Sequence, residues 1–200
     1  MQHNPEIFYN SSCSDVRFDD YLLLGGGTDI NPELYGEKNY GYCQSPNIIR
    51  DSRNMQAIED YTDMGKPVIG ICRGLQILDV FNGGKLIQHT VGHSSLVPVK
   101  LMGLDRKVLE VIDNCRSCHH QVVNPNETNG EIIGYSKYKY NAVLEGGVIE
   151  HRSVVPQIVY WPTQKHLAVQ FHPEWQGELH PMNVYLRGLI KELLGLENVL

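Results

Sequence analysis

Two short segments carry residue types that together could perform nucleophilic acyl transfer. The first is Gly70-Ile71-Cys72-Arg73-Gly74. Its spacing, Gly-x-nucleophile-x-Gly, is that of the nucleophile elbow, a sharp strand-to-helix turn that holds a reactive side chain in a strained backbone conformation. Glycine two residues before and two after the nucleophile lets neighbouring backbone pass where a Cβ would sit. The Cys72 sulfur would lie at the start of the following helix, where unpaired N–H groups and the helix dipole favour a thiolate. The N–H of Arg73 could then face a developing oxyanion. Five residues taken alone also fit a plainer reading, a buried structural cysteine between two incidental glycines.

A cysteine nucleophile needs a base, and the second segment, Phe171-His172-Pro173-Glu174-Trp175, offers one. His172 follows the apolar run Leu167 to Phe171 and is expected at the carboxyl end of a buried strand, in the crevice where open α/β sheets place their ligands. Glu174, two residues on, could orient the imidazole and stabilise its cation, giving a Cys-His-Glu triad. One histidine among nine would more simply be a hydrogen-bonded strand-end residue. Its pairing with an elbow cysteine favours the base.

Two further groups carry residue types with possible chemistry. Cys115-Arg116-Ser117-Cys118-His119-His120-Gln121 matches a c-type haem attachment pattern and offers zinc-ligand types. Haem attachment belongs to exported proteins, and the Met1-Gln2-His3-Asn4-Pro5 start has neither the basic nor the apolar region of a signal peptide. Four zinc ligands in so short a stretch would strain a tetrahedral site. No metal or organic cofactor is expected. Gly25-Gly26-Gly27 follows an apolar run but lacks the spacing and the Lys-Ser/Thr ending of phosphate-binding loops. A glycine corner of this kind can still supply backbone N–H groups, from Gly26 or Gly27, as the second donor of an oxyanion hole.

The elements that must position these residues are readable from periodicity. Tyr21 to Leu24 and Pro67 to Ile71 read as buried strands. The stretch holding Pro32, Gly36 and Gly41 reads as loop. A helix of about three turns is expected from Asp51 or Ser52, ending at Gly65 and Pro67, and a second from Gly74 to Phe81. Lys107 to Ile112 alternates like a half-buried strand, and Gly130 to Asn141 reads as an extended loop or hairpin. Gly147 to His151, Ile158 to Trp161 and Leu167 to Phe171 read as short strands. Pro181 opens a last helix with Met182, Tyr185, Leu186, Leu189, Ile190 and Leu193 on one stripe before Gly195. Buried strands alternating with amphipathic helices predict an α/β sandwich around a mostly parallel sheet, in a single domain spanning residues 1–200.

Composition bounds the function classes. The 200 residues include 42% hydrophobic and 20% charged types, enough to build one full core without disulfide or metal staples. The net charge of −6, with no Lys/Arg cluster, leaves no footprint for nucleic acid or an anionic membrane. No apolar run approaches the ~18 residues of a membrane span. Five cysteines are an odd number, and without an export signal the expected compartment is a reducing cytoplasm.

Together these pieces resemble the class I glutamine amidotransferase-like proteins, and within them the γ-glutamyl hydrolase branch that includes γ-glutamyl-γ-aminobutyrate hydrolase. The resemblance runs from Tyr21 to Trp175 and rests on five blocks in the family's order: LLLGGGTDINPELYGE from Leu22, the Arg50-Asp51 helix start, GKPVIGICRGLQILDVFNGGKLIQ from Gly65, His119-His120-Gln121, and LAVQFHPEW from Leu167. GGVIEHR from Gly146 looks like the strand preceding the last block. The resemblance implies a flavodoxin-like three-layer fold with Cys72 as nucleophile, His172 as base, Glu174 as orienting carboxylate, and the N–H groups of Arg73 and of Gly26 or Gly27 as oxyanion hole. Gln76 matches the residue near a bound γ-glutamyl group. His119, His120 and Gln121 match a segment lining the same pocket, either as substrate contacts or as loop anchors. Only 24 residues precede Gly25, with room for one short strand at Glu6 to Tyr9, so the N-terminal strand-helix unit of the family is expected to be reduced or missing.

Three functions follow as expectations. The first is a cysteine hydrolase that cleaves a γ-glutamyl amide through a γ-glutamyl thioester and releases glutamate and an amine. The second is a glutaminase subunit passing ammonia to a separate synthetase. The third is an inactive binding protein on the same fold. The expected partners are a small γ-glutamyl substrate and either a second copy of the chain, covering the surface left by the missing unit, or a synthetase.

Overall fold

The computed structural model describes residues 15–91, 95–103, 107–143, 148–197 and 199. The positions expected to be a strand at Glu6 to Tyr9, and Gly146 and Gly147, lie outside them. In chain order the described elements are β1 (Val16–Arg17), β2 (Leu22–Leu24), α1 (Ile48–Asp63), β3 (Val68–Ile71), α2 (Arg73–Phe81), β4 (Leu86–Ile87), β5 (His89–Val91), β6 (Leu96–Met102), β7 (Val108–Arg116), β8 (Val122–Val123), β9 (Glu131–Val143), β10 (Ile149–Trp161), β11 (His166–Val169) and α3 (Pro181–Leu194).

β2, β3 and β11 are short, wholly buried and parallel, with Leu22 beside Val68 and Leu167 beside Ile69. Side chains alternate across them. Leu22, Leu24, Val68 and Ala168 pack under α1 and α2 with Ile58, Leu75 and Leu78. Leu23, Ile69, Ile71, Leu167 and Val169 pack on the opposite face with Met182, Leu186 and Ile190 of α3. The result is the expected three-layer α/β arrangement. Where a mostly parallel sheet is expected, however, the observed sheet is mixed, in the order β1-β2-β3-β11-β10-β9-β6-β7 with β5 on β9. The parallel ladder is confined to β2, β3 and β11, and β1, β10, β9, β6, β7 and β5 all pair antiparallel. α1 is the crossover between β2 and β3, as parallel pairing needs, whereas β6 and β7, β9 and β10, and β10 and β11 follow one another in the chain and pair antiparallel.

Local signals account for the helices. Asn47 caps α1, its side chain accepting from the Arg50 N–H at 3.0 Å, so the helix begins three residues ahead of Asp51. Asp51 turns inward instead and is buried. Gly65, at φ 67°, ends that segment in the left-handed conformation glycine tolerates. α3 starts on Pro181 and stops at Gly195, also left-handed at φ 70°, with Met182, Leu186 and Ile190 buried as the apolar stripe predicts.

The outer sheet departs further from the sequence reading. Of the Gly130 to Asn141 stretch, Glu131 to Asn141 forms most of one thirteen-residue strand, β9, and the two short strands expected near His151 and Ile158 are one thirteen-residue strand, β10. Pro156 lies inside β10, flanked by register shifts that accommodate a residue with no N–H to give the ladder. In β7, Val108, Leu109 and Val111 are exposed and only Ile112 and Cys115 are buried, because this strand forms the outer edge. At the opposite edge, the two residues of β1 lie antiparallel on β2, and Val16 and Phe18 pack on the core. No helix of the described residues is long and apolar enough to cross a membrane.

Two buried titratable groups tie α2 to its surroundings. Asp79 is fully buried beneath Gly84 and accepts from the Thr128 hydroxyl; burial pushes its carboxyl up to about 7. His166, also fully buried, sits between Thr62 and Asn82, and burial pushes it down to about 4. A carboxyl raised above its unfolded value of 3.8 withdraws stability as pH climbs from 4 through 7. A depressed histidine withdraws stability as pH falls from 6.5 towards 4, so the two trends oppose one another in the wild type. Asp79→Asn should therefore gain on the wild type steadily between pH 4 and 7, by at most about 4 kcal/mol, in urea titrations run at each pH. An unchanging difference would show that Asp79 does not titrate in that window.

Candidate active site

Between β3 and α2 the backbone of Cys72 adopts φ 54° and ψ −104°, a conformation that costs a non-glycine residue on the order of 1–3 kcal/mol. The Cys72 N–H donates to the Val169 carbonyl at 2.7 Å and its carbonyl accepts from Leu75, so the turn is pinned from both sides. A Cβ on Gly70 would lie 2.5 Å from backbone atoms of Gly74, and one on Gly74 would lie 2.3 Å from the Leu24 carbonyl oxygen. Both elbow glycines are thus sterically required, as the spacing predicts. Arg73 opens α2, so its N–H falls in the first turn, where no intrahelical acceptor exists.

His172 follows the end of β11, and its N–H is held by the Arg116 carbonyl at 2.8 Å. A tight turn at Pro173–Trp175 brings the Glu174 carboxylate to 2.6 Å from His172 Nδ1, both side chains being almost wholly buried. With Nδ1 donating to the carboxylate, Nε2 is left as the acceptor that a base requires. Gly26 connects this pair to the elbow: a Cβ there would lie 3.1 Å from His172 Cε1 and 3.8 Å from Cys72 Cβ. The indole of Trp175 stacks on the His172 ring with centroids 3.7 Å apart and planes 6° from parallel.

A charged clamp sets the glycine corner. Arg50 makes paired bonds to the Asp15 carboxylate at 3.0 and 2.8 Å, and its Nη1 donates to the Gly26 carbonyl at 3.0 Å. Because a trans peptide points its C=O and N–H in opposite directions, this bond turns the Gly27 N–H away from Arg50. Gly27 has φ 154°, and a Cβ there would fall 2.0 Å from Arg50 Nη1. Asp15 also accepts from Gly25 N–H and Asn54. Burial acts to raise its carboxyl, but the bonds from Arg50 and Asn54 and the Arg50 charge outweigh this and hold it below the usual range. Asn54 accepts in turn from Arg73 at 2.6 Å, and Arg73 pairs with Asp51. The sequence marked Arg50 and Asp51 only as a helix start; Asp15 and Asn54 carried no signal at all.

Residues 118–121 run past the thiol, with the Cys118 carbonyl 3.8 Å from Cys72 Sγ. Gln76 donates to the Gln121 carbonyl at 3.0 Å and to Gln170 at 3.5 Å, and His119 Nδ1 donates to the same carbonyl at 2.9 Å. The His120 ring points to Asp29 (3.0 Å) and to His89 (3.1 Å). The hydrogen bond to Asp29 raises the His120 imidazole, while burial and the neighbouring His120 lower that of His89. The structure therefore gathers Cys72, His172, Glu174 and Gly26 at one point, with Gly27 and Arg73 adjacent. Gln76, His119 and Gln121 are tied to one another beside them, and His120 is held by Asp29. The Cys115 thiol is buried within the sheet, pushed up by burial to about 12, and among the described residues no three His, Cys, Asp or Glu side chains are placed to hold a metal ion.

The family model described as peptidase C26 matches residues 12–174. The "Putative glutamine amidotransferase-like protein YvdE" of Lactococcus lactis is 29% identical over 177 residues, covering 80% of this chain and 68% of that protein. The γ-glutamyl-γ-aminobutyrate hydrolase PuuD of Escherichia coli is 25% identical over 181 residues, covering 84% and 68%. Among solved structures, a "putative gmp synthase subunit a protein" from Thermoplasma acidophilum superposes with a TM-score of 0.52 at 18% identity, covering 78% of this chain and 63% of the other, a likeness of fold. The chain thus spans about two thirds of the length of each.

Proposed function

The chain belongs to the peptidase C26 family of class I glutamine amidotransferase-like proteins, and from that premise we propose that it is a cysteine hydrolase of γ-glutamyl amide bonds. The observation that carries this reading is the His172–Glu174 pair at 2.6 Å, packed through Gly26 against a cysteine in the strained elbow conformation. His172 takes the Cys72 thiol proton, and the thiolate adds to the γ-carbonyl carbon. The oxyanion is met by the N–H groups of Arg73 and of Gly26 or Gly27, the latter aimed by Arg50. As the tetrahedral adduct collapses, the imidazolium of His172 gives its proton to the departing amine, and a γ-glutamyl thioester remains on Cys72. His172 then draws a proton from water, hydroxide adds to the thioester, and glutamate leaves as the thiol is restored. Glu174 holds the imidazole in the required tautomer and stabilises its cation throughout. Gln76 and residues His119 to Gln121 wall the pocket for the γ-glutamyl group.

A glutaminase that passes ammonia to a separate synthetase uses the same residues. Likeness to YvdE, a putative glutamine amidotransferase-like protein, favours keeping that second reading, whereas likeness to the hydrolase PuuD favours the first. The purified chain, offered glutamine, γ-glutamyl-aminobutyrate, γ-glutamyl-putrescine and γ-glutamyl peptides, should release glutamate fastest from a substituted amide. Turnover of glutamine alone would select the glutaminase. Release from none of them would sink both.

A further inference from the structure

We infer that Trp175 is a positioning residue for His172, an inference that rests on the reaction proposed above. A histidine ring has little intrinsic preference about its outer torsion, so the plane in which Nε2 lies must be set by neighbours. Three contacts set it here: Glu174 on Nδ1 at 2.6 Å, the Gly26 backbone against Cε1, and the Trp175 indole over the ring face, centroids 3.7 Å apart and planes within 6°. Glu174 fixes one atom and leaves the ring free to tilt about that bond. Trp175 removes the tilt.

The turn that delivers Glu174 also delivers Trp175. Pro173 starts it, and the Trp175 N–H closes it on the His172 carbonyl at 3.2 Å, which lays the fourth residue of the turn back over the first. The indole is 45% exposed, so packing in the core is not what holds it there. A large aromatic left half in water and lying flat on an almost wholly buried imidazole is suited to a second task. Its electron-rich face stabilises the imidazolium that forms when His172 accepts the thiol proton. Trp175 thereby favours the thiolate–imidazolium state of Cys72 and His172 without touching the thiol.

The test uses two Trp175 variants, with His172→Ala as the reference, and two readouts. Alkylation of Cys72 by iodoacetamide at neutral pH, followed by mass spectrometry of the Cys72 peptide, reports thiolate reactivity with no γ-glutamyl group present. Trp175→Leu should slow alkylation about threefold to tenfold, towards the rate of His172→Ala, and Trp175→Phe should recover to within about twofold of wild type because a ring again covers the imidazole. With a γ-glutamyl anilide, the Leu variant should lose kcat by a similar factor and keep KM within about twofold, at a thermal midpoint near that of the wild type. Unchanged alkylation in Trp175→Leu, or equal slowing in the Leu and Phe variants, would overturn the role. A chain that alkylates as described yet hydrolyses no γ-glutamyl amide would overturn the reaction proposed above and leave the positioning role standing.

Discussion

Cys72→Ala should lower glutamate release from a γ-glutamyl amide by a factor on the order of 10⁴ to 10⁶, and His172→Ala should do nearly the same. The two effects should not add in the double variant, because the thiol and its base act in one step. Glu174→Gln should retain measurable turnover, since the amide oxygen can still accept from Nδ1 across the 2.6 Å contact. The Cys72→Ala protein should fold as the wild type does, as alanine meets the same backbone conformation as cysteine and the volume lost is small. Other thiols act as internal controls. A γ-glutamyl electrophile should place one label, on Cys72, and none on Cys43 or Cys115, whose thiols burial pushes up to about 11 and about 12. Substantial turnover by Cys72→Ala, or a label on Cys118 in place of Cys72, would remove the nucleophile assignment.

Asp51→Ala should be the most destabilising single replacement in the clamp. Arg73 and Asp51 are each 1% exposed and face one another, and removing one partner of such a buried pair costs about 3–5 kcal/mol by stranding the other charge. For a chain of this size that is a fall of roughly 10 °C in thermal midpoint. Asp51 also accepts from the Asn31 N–H, which adds to the loss. Arg50→Ala should separate differently, because Arg50 and Asp15 are about a quarter exposed. Their pair contributes less to stability and acts on the Gly26–Gly27 peptide, so kcat should fall more than the midpoint. Calorimetry and steady-state kinetics on both variants check this. An Asp51→Ala protein melting within a degree or two of the wild type would show that Arg73 finds another counter-charge.

These two residues also mark where the sequence stopped being legible. Asp51 reads as a helix cap from its neighbours, but Asn47 caps first, and Asp51 is needed by an arginine 22 positions away, a pairing no local pattern announces. Asp15 reaches Arg50 across 35 positions in the same way. The elbow was readable because its requirement is steric and local: Gly70 and Gly74 lie within two residues of Cys72. α3 was readable for a like reason, with Pro181, Gly195 and the apolar stripe all inside one segment. β10 was not, because Ser153 and Pro156 interrupt its alternation while the long partner β9 carries the pairing through. Trp175 stands in the sequence beside Glu174, and only the tight turn from His172 to Trp175 shows that its ring lies on His172.

The left-handed backbone at Cys72 has a consequence for how the protein would evolve in the laboratory. Glycine is the one residue that occupies φ 54° without strain, so Cys72→Gly should yield a sturdier chain with no chemistry left. A selection that scored only soluble expression or heat resistance would reward that change and drift towards an inert fold. Retaining a thiol at this position requires a selection that reads turnover, and the margin by which glycine wins in its absence measures how much stability the reactive geometry withholds.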